Sequence, residues 1–292
     1  MSQHDRAVAD PQDDAGPTDD GPTDDGPTTE FEGATPYDDY VHASVLTSLQ
    51  QPLTNDPGEM AFLVTTQVME LWFTLIVHEW DAARDALLKD DFDRAMDALR
   101  RSLDAHQALN DSWRPIAALT PGQFNGFRAA FGNASGFQSA MYRRMEFLLG
   151  DKSRSMVRPH RGHPRVHAEL EESLTRPSLY DVVLGYLHRR GLPVPEQVLH
   201  RDVTVAYEAD TAVEETWRQI YAGSPYDPLV ALGEALTDVA EAVLRWRSDH
   251  LLVTRRAMGS KTGSGGSPGV AWLEKRAVRS VFPEIWTARS HV

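Results

Sequence analysis

Apolar residues recur at three- and four-residue steps through most of this chain, the spacing of helices that turn one face to a core. Between Glu59 and about Leu88 they fall at Met60, Leu63, Val64, Val68, Leu71, Trp72, Leu75 and Ile76, which predicts one long, deeply buried helix. Thr65, Thr66, Gln67, Glu70 and Thr74 interrupt the run. A core helix with polar residues turned toward a cavity therefore fits better than a membrane span, where such groups are costly. Phe92 to Trp113 predicts a second amphipathic helix, with Ala95, Met96, Leu99, Leu103, His106 and Leu109 on one side. Leu229 to Met258 predicts the last long one, periodic in Leu232, Leu236, Val239, Val243, Trp246 and Val253. Shorter helices announce themselves by their caps: Thr120-Pro-Gly-Gln123 combines a capping hydroxyl, a proline at the first helical position and a glutamine placed to close a capping box. Ser178-Leu-Tyr-Asp181 begins another, ending near Gly191, and a further helix is expected from about Ser135 to Leu149, closed by Gly150. No stretch alternates with period two between hairpin turns, so the expected fold is all-α.

Composition changes this picture at one end only. The 292 residues carry a formal net charge of -14, but residues 1–35 hold ten acids against Arg6, a net of -9, which leaves only -5 for the remainder. The near repeat Asp19-Asp-Gly-Pro-Thr-Asp-Asp-Gly-Pro-Thr28 has nothing apolar to bury, so residues 1–35 read as a disordered acidic tail and residues 36–292 as a single helical domain. No basic stripe points to nucleic acid, and no basic start followed by an apolar run points to secretion; a cytoplasmic protein without a membrane or nucleic-acid partner is expected. The chain has no cysteine, which excludes thiolate nucleophiles, Fe–S clusters and thioether-linked haem. Metal chemistry has to rest on histidine and carboxylates, or on a cofactor held without covalent bonds.

Three places carry candidate chemistry. Phe124 and Arg128 lie four residues apart on the helix begun by Thr120, with Phe127 and Phe131 nearby; a guanidinium among phenylalanines needs an anion, a bound carboxylate or a structural one, unless it snorkels to water. His250 sits late on the last long helix, one turn after Trp246, where a neutral imidazole on a rigid helix suits an axial ligand of haem iron or a structural role. The segment Gly259-Ser-Lys-Thr-Gly-Ser-Gly-Gly-Ser-Pro-Gly269 follows a helix rather than a strand and meets neither phosphate-binding fingerprint, so it reads as a lid over a polar ligand or a plain connector. His160, His163 and His167 have zinc-like spacing, but Pro159 and Pro164 break the helix that would align them, and a solvated loop is expected there.

Taken in order, Tyr37-Asp-Asp-Tyr40, Glu59-Met-Ala-Phe62, Gln67-Val-Met-Glu-Leu-Trp72, Phe127-Arg128, Ala134-Ser-Gly-Phe-Gln-Ser139, Pro177-Ser-Leu-Tyr-Asp181, Trp246-Arg-Ser-Asp-His250 and Gly263-Ser-Gly-Gly-Ser-Pro-Gly269 resemble the tryptophan 2,3-dioxygenase family. The resemblance implies an all-helical haem b oxygenase with dioxygen as co-substrate, assembled as a homotetramer. It implies that His250 is the proximal iron ligand, that Arg128 binds the carboxylate of an indole amino acid and that Ser135 lies near the haem edge. It also implies that Phe62 packs on the indole, that the loop at Gly263 folds over the ammonium group, and that Tyr37 and Tyr40 reach into a neighbouring subunit's pocket.

Three substrate-side positions depart from the family pattern: Thr66 stands where a distal histidine is usual, Phe124 where a tyrosine hydroxyl assists the arginine, and Ser264 where a loop threonine meets the ammonium. The expected activity is insertion of oxygen at indole C2 and C3 of L-tryptophan or a substituted tryptophan, chiefly 2,3-dioxygenation to N-formylkynurenine. The alternatives are a monooxygenase forming a 2-oxindole from tryptophan or a β-substituted tryptophan, a non-catalytic haem carrier or sensor, and a haem-free helical scaffold.

Overall fold

The computed structural model describes residues 29–263 and 269–292, and no strand occurs among them. The acidic repeat and Ser264 lie outside the described residues. Contacts divide the chain into two units, Met1–Leu49 and Gln50–Val292. The described part of the first holds α1 (Pro36–Val41), capped by Thr35, and α2 (Ala43–Leu46). Asp38 ties the two together by accepting from the backbone and hydroxyl of Ser44, both at 2.6 Å.

The second unit is built on α3 (Pro57–Leu88) and α4 (Phe92–Asp111), two long helices joined by a short turn that pack along much of their length. A short α5 (Trp113–Ala117) follows, then α6 (Pro121–Arg128), which has the capping box between Thr120 and Gln123 that its sequence predicts. Instead of one helix from Ser135, a 3₁₀ turn over Gly136–Gln138 precedes α7 (Ala140–Leu148). Ser135 and Ser139 each accept from a following backbone N–H, so the chain starts twice where one start was expected. The histidine-rich stretch is also not simply a loop: Pro164 occupies the first turn of α8 (Pro164–Thr175), where a missing N–H costs nothing. There follow α9 (Leu179–Arg189), α10 (Glu196–Leu199), α11 (Thr211–Ala222) and α12 (Pro228–Met258), then α13 (Val270–Ala277) and α14 (Pro283–Ala288). The last is held by Glu284, almost wholly buried, which accepts from Tyr180 at 2.9 Å, Tyr207 at 2.6 Å and the backbone of Asp210 at 2.8 Å.

The core runs through Phe73, Ile76, Val77 and Trp80 of α3, Ala95, Leu99 and Leu109 of α4, α9, and Leu232, Leu236 and Val239 of α12. In one respect the expectation for α3 fails. Met60, Val64, Leu71 and Leu75 are 41, 38, 53 and 39% exposed, so the helix carries a second apolar stripe on its outer side. Its apolar run is long enough to cross a membrane by composition alone, yet its opposite side packs on α4, α7 and α9.

His106 of α4 lies in the core 5.8 Å from the Trp80 ring, its Nε2 without a hydrogen-bond partner. Burial pushes its pKa down to about 4. An unfolded imidazole titrates near ~6.5, so as pH falls the unfolded chain takes up the proton first. The stability is complete above about 6.5 and falls by up to ~3 kcal/mol on the way to about 4. The gap in urea midpoint between wild type and His106→Leu is accordingly expected to shift toward the variant between pH 7 and pH 4.5. A gap independent of pH would assign the acid sensitivity elsewhere.

Candidate functional site

A cavity of about 530 Å³ opens between α3, α6, α7, α12 and α13, within the usual range for small-molecule sites. α3 and α12 run along opposite walls in opposite directions. At one end Phe73 meets Trp246, ring centroids 5.7 Å apart; at the other Phe62 joins the cluster of Phe124, Phe127 and Ala257. His250, one turn after Trp246, thus lies across from the Met69–Glu70 region of α3.

Of the residues proposed from sequence, Phe62, Thr66, Phe124, Arg128, Ser135 and His250 all line this cavity. Ser264 lies outside the described residues, and Tyr37 and Tyr40 are 67 and 88% exposed on α1. Phe62 stacks on Phe131 at 4.8 Å and meets Phe124 edge-on at 6.0 Å, giving a flat aromatic end suited to an indole. The Thr66 hydroxyl donates to the Phe62 carbonyl at 2.7 Å, so its proton is spent on its own helix. Half-buried Arg128 has no carboxylate partner among the described residues. Its Nη2 donates to the Thr262 carbonyl, and Lys261 Nζ reaches Asn125 Oδ1 at 3.0 Å, so the start of the glycine-rich loop rests on α6. The far end of that loop returns at Gly269, whose φ of +65° and approach to the Lys261 carbonyl, 2.7 Å from any added Cβ, exclude a side chain.

His250 stacks on Trp113, centroids 4.8 Å apart and planes 15° from parallel, and neither ring nitrogen has a hydrogen-bond partner among the described residues. One face opens to the cavity, which leaves the residue only half-buried by area, while the surrounding protein desolvates it and pushes its pKa down to about 4. At neutral pH this is an oriented, neutral imidazole with a free lone pair.

Sequence reasoning passed over the charged side of the cavity. Arg143 of α7, Arg247 of α12 and Arg276 of α13 line it, and with Arg279 they share two carboxylates, Glu146 and Asp151. Arg276 lies 3.0 Å and Arg279 2.6 Å from Asp151, and Arg247 lies 3.5 Å from it. Four guanidiniums against two carboxylates leave a surplus of two positive charges, and Arg143 and Arg247 are only 1 and 4% exposed. Arg143 Nε and the ring N–H groups of Trp113 and Trp246 are buried without hydrogen-bond partners among the described residues. Buried charge and unpaired donors are costly, so this wall is built for an occupant that brings negative charge. The sequence does hold a signal, since Arg247 precedes His250 by three residues and so lies on nearly the same face of α12.

The model of the family described as tryptophan 2,3-dioxygenase matches residues 23–223 and 218–292. Tryptophan 2,3-dioxygenase of Exiguobacterium sibiricum is 39% identical over 263 residues, covering 90% of this chain and 94% of that protein. Those of Shewanella woodyi and Geobacillus thermodenitrificans are 37 and 38% identical, again over 90% of this chain and over 93 and 94% of theirs. A match of this extent, on an all-helical chain with a histidine and an arginine in one aromatic cavity, decides the family: the chain belongs to the tryptophan 2,3-dioxygenases.

Proposed function

We propose that this protein is a haem-dependent oxygenase that opens the indole ring of L-tryptophan by adding dioxygen across C2 and C3, giving N-formylkynurenine. The observation that carries this reading is the pairing of a neutral imidazole, without a hydrogen-bond partner among the described residues, with three guanidiniums that line the same apolar cavity, two of them buried. Haem b has matching chemistry: an iron that takes a neutral imidazole, an apolar macrocycle and two carboxylates. His250 would hold the iron, and Arg143, Arg247 and Arg276 the carboxylates. Bound there, the haem supplies the activation of dioxygen.

The remaining work falls to the chain's own side chains. Arg128 exchanges the Thr262 carbonyl for the substrate carboxylate, a planar acceptor that fits its donors in pairs. Phe62, Phe124 and Thr66 shape the indole site, and Ser135 borders it. Ser264 meets the ammonium group. Thr66 offers no base, and none is needed, because the electron-rich indole carbon adds oxygen without first losing the ring proton. Both oxygen atoms enter the product, so no external reductant is consumed.

The working form is a cytoplasmic homotetramer in which another copy covers the outer stripe of Met60, Val64, Leu71 and Leu75, and Tyr37 and Tyr40 are supplied to a neighbour's pocket. The test is the product mass after haem-loaded, reduced protein meets L-tryptophan in air. A gain of two oxygen atoms is expected. A gain of one would indicate a closed-ring oxindole, and haem binding without any product would leave a carrier or sensor.

A further inference from the structure

A buried indole N–H needs an acceptor, and the arginine and tryptophan side chains around this cavity cannot be one. Arg128, Arg143, Arg247 and Arg276 only donate, and so do the ring nitrogens of Trp113 and Trp246. Thr66, the residue in the usual place of the distal histidine, donates its hydroxyl proton to the Phe62 carbonyl and keeps only a neutral oxygen as acceptor. One turn further along the same helix stands Glu70, the sole carboxyl among the described residues that line the cavity.

Glu70 also differs from the acids that pair with the cavity's arginines. Glu146 and Asp151 are each engaged by several arginines, whereas Glu70 forms no ion pair among the described residues. Its partner is the hydroxyl of Ser139, which also caps α7 and is thereby fixed in place. The opposed register of α3 and α12 puts Glu70 on the wall facing His250, between Thr66 and Phe73, with its carboxyl half-buried. Burial raises its pKa, and in either protonation state the carboxyl presents an oxygen as acceptor.

Resting on the reading of the substrate as an indole amino acid, we propose that Glu70, steadied by Ser139, accepts the indole N–H and so sets how the ring lies in the cavity. The carboxyl thereby takes the positioning role in place of Thr66, from one helical turn away. With Arg128 at the amino-acid end and Glu70 at the ring nitrogen, the substrate is fixed at both ends.

The test compares binding of L-tryptophan with that of 1-methyl-L-tryptophan, which lacks the N–H, in haem-loaded protein without dioxygen. Affinity rather than turnover is read. Wild type and Glu70→Gln, which keeps an acceptor carbonyl, are expected to prefer L-tryptophan by about tenfold, the order expected when a buried polar partner is lost. Glu70→Leu is expected to bring the two affinities close together, and Thr66→Val to leave the preference intact. If the leucine variant fails to fold, Glu70→Asp, which draws the carboxyl back, is expected to lose the preference in the same way. A wild-type preference retained by Glu70→Leu or Glu70→Asp, or abolished by Thr66→Val, overturns the assignment. Wild-type protein that binds haem but neither amino acid overturns the substrate reading itself, and this inference with it.

Discussion

Replacing His250 by alanine is expected to leave a folded helical protein that no longer retains haem and forms no product. The side chain contributes little to the fold: its ring nitrogens bond to nothing among the described residues, and its contacts are the faces of Trp113 and Trp246. What is lost is the only imidazole lining the cavity among the described residues, already neutral at working pH and held by stacking at 4.8 Å. The guanidiniums on the adjoining wall would still attract the haem carboxylates, so weak, exchangeable binding is the expected residue of affinity. The measurement is haem absorbance per protein after gel filtration, with helicity followed by circular dichroism. Added imidazole should restore part of the absorbance by entering the space left by the side chain. Full loading and normal turnover in the alanine variant would remove His250 from the iron.

Most of the helices that build this cavity were legible because local rules agree with the fold. The capping boxes at Thr120 and Ser178 and the three- and four-residue period of α4 and α12 need no tertiary information. The side of α3 that faces outward was not legible, since Met60, Val64, Leu71 and Leu75 satisfy the same periodicity as a core face. Nothing in one sequence tells a stripe packed within the monomer from one left exposed by it. The candidate site divides in the same way. Phe124, Arg128 and His250 stood out because each is chemically conspicuous on its own helix. Trp113, Arg143 and Arg276 come from α5, α7 and α13, and only the tertiary fold makes them neighbours. Glu70 was visible as a break in an apolar run, and its meaning depends on Ser139, which lies far away in sequence.

Replacing Arg128 by leucine is expected to raise the dissociation constant for L-tryptophan by roughly 100-fold while leaving that for tryptamine, which has no carboxylate, nearly unchanged. The figure follows from losing charge-assisted hydrogen bonds worth about 1.5–3 kcal/mol each, at about 1.4 kcal/mol per tenfold, part of it offset by water at the half-buried site. The fold should tolerate the change, because Arg128 pairs with no carboxylate among the described residues and the leucine is compatible with the aromatic lining of the cavity. One contact does go: the bond to the Thr262 carbonyl, leaving Lys261 and Asn125 to hold the start of the loop at 3.0 Å. That loss predicts a second effect in the same variant. In wild type the substrate carboxylate has to displace a carbonyl already on the guanidinium, so part of the binding energy is used to free it. The leucine variant has no such competition, and tryptamine is expected to bind it at least as well as it binds wild type. Arg128→Lys separates charge from geometry: a point charge restores some affinity for L-tryptophan but not the paired hydrogen bonds. Titration of the three proteins with both ligands checks the whole scheme, and an L-tryptophan affinity unmoved by the leucine would place the carboxylate elsewhere.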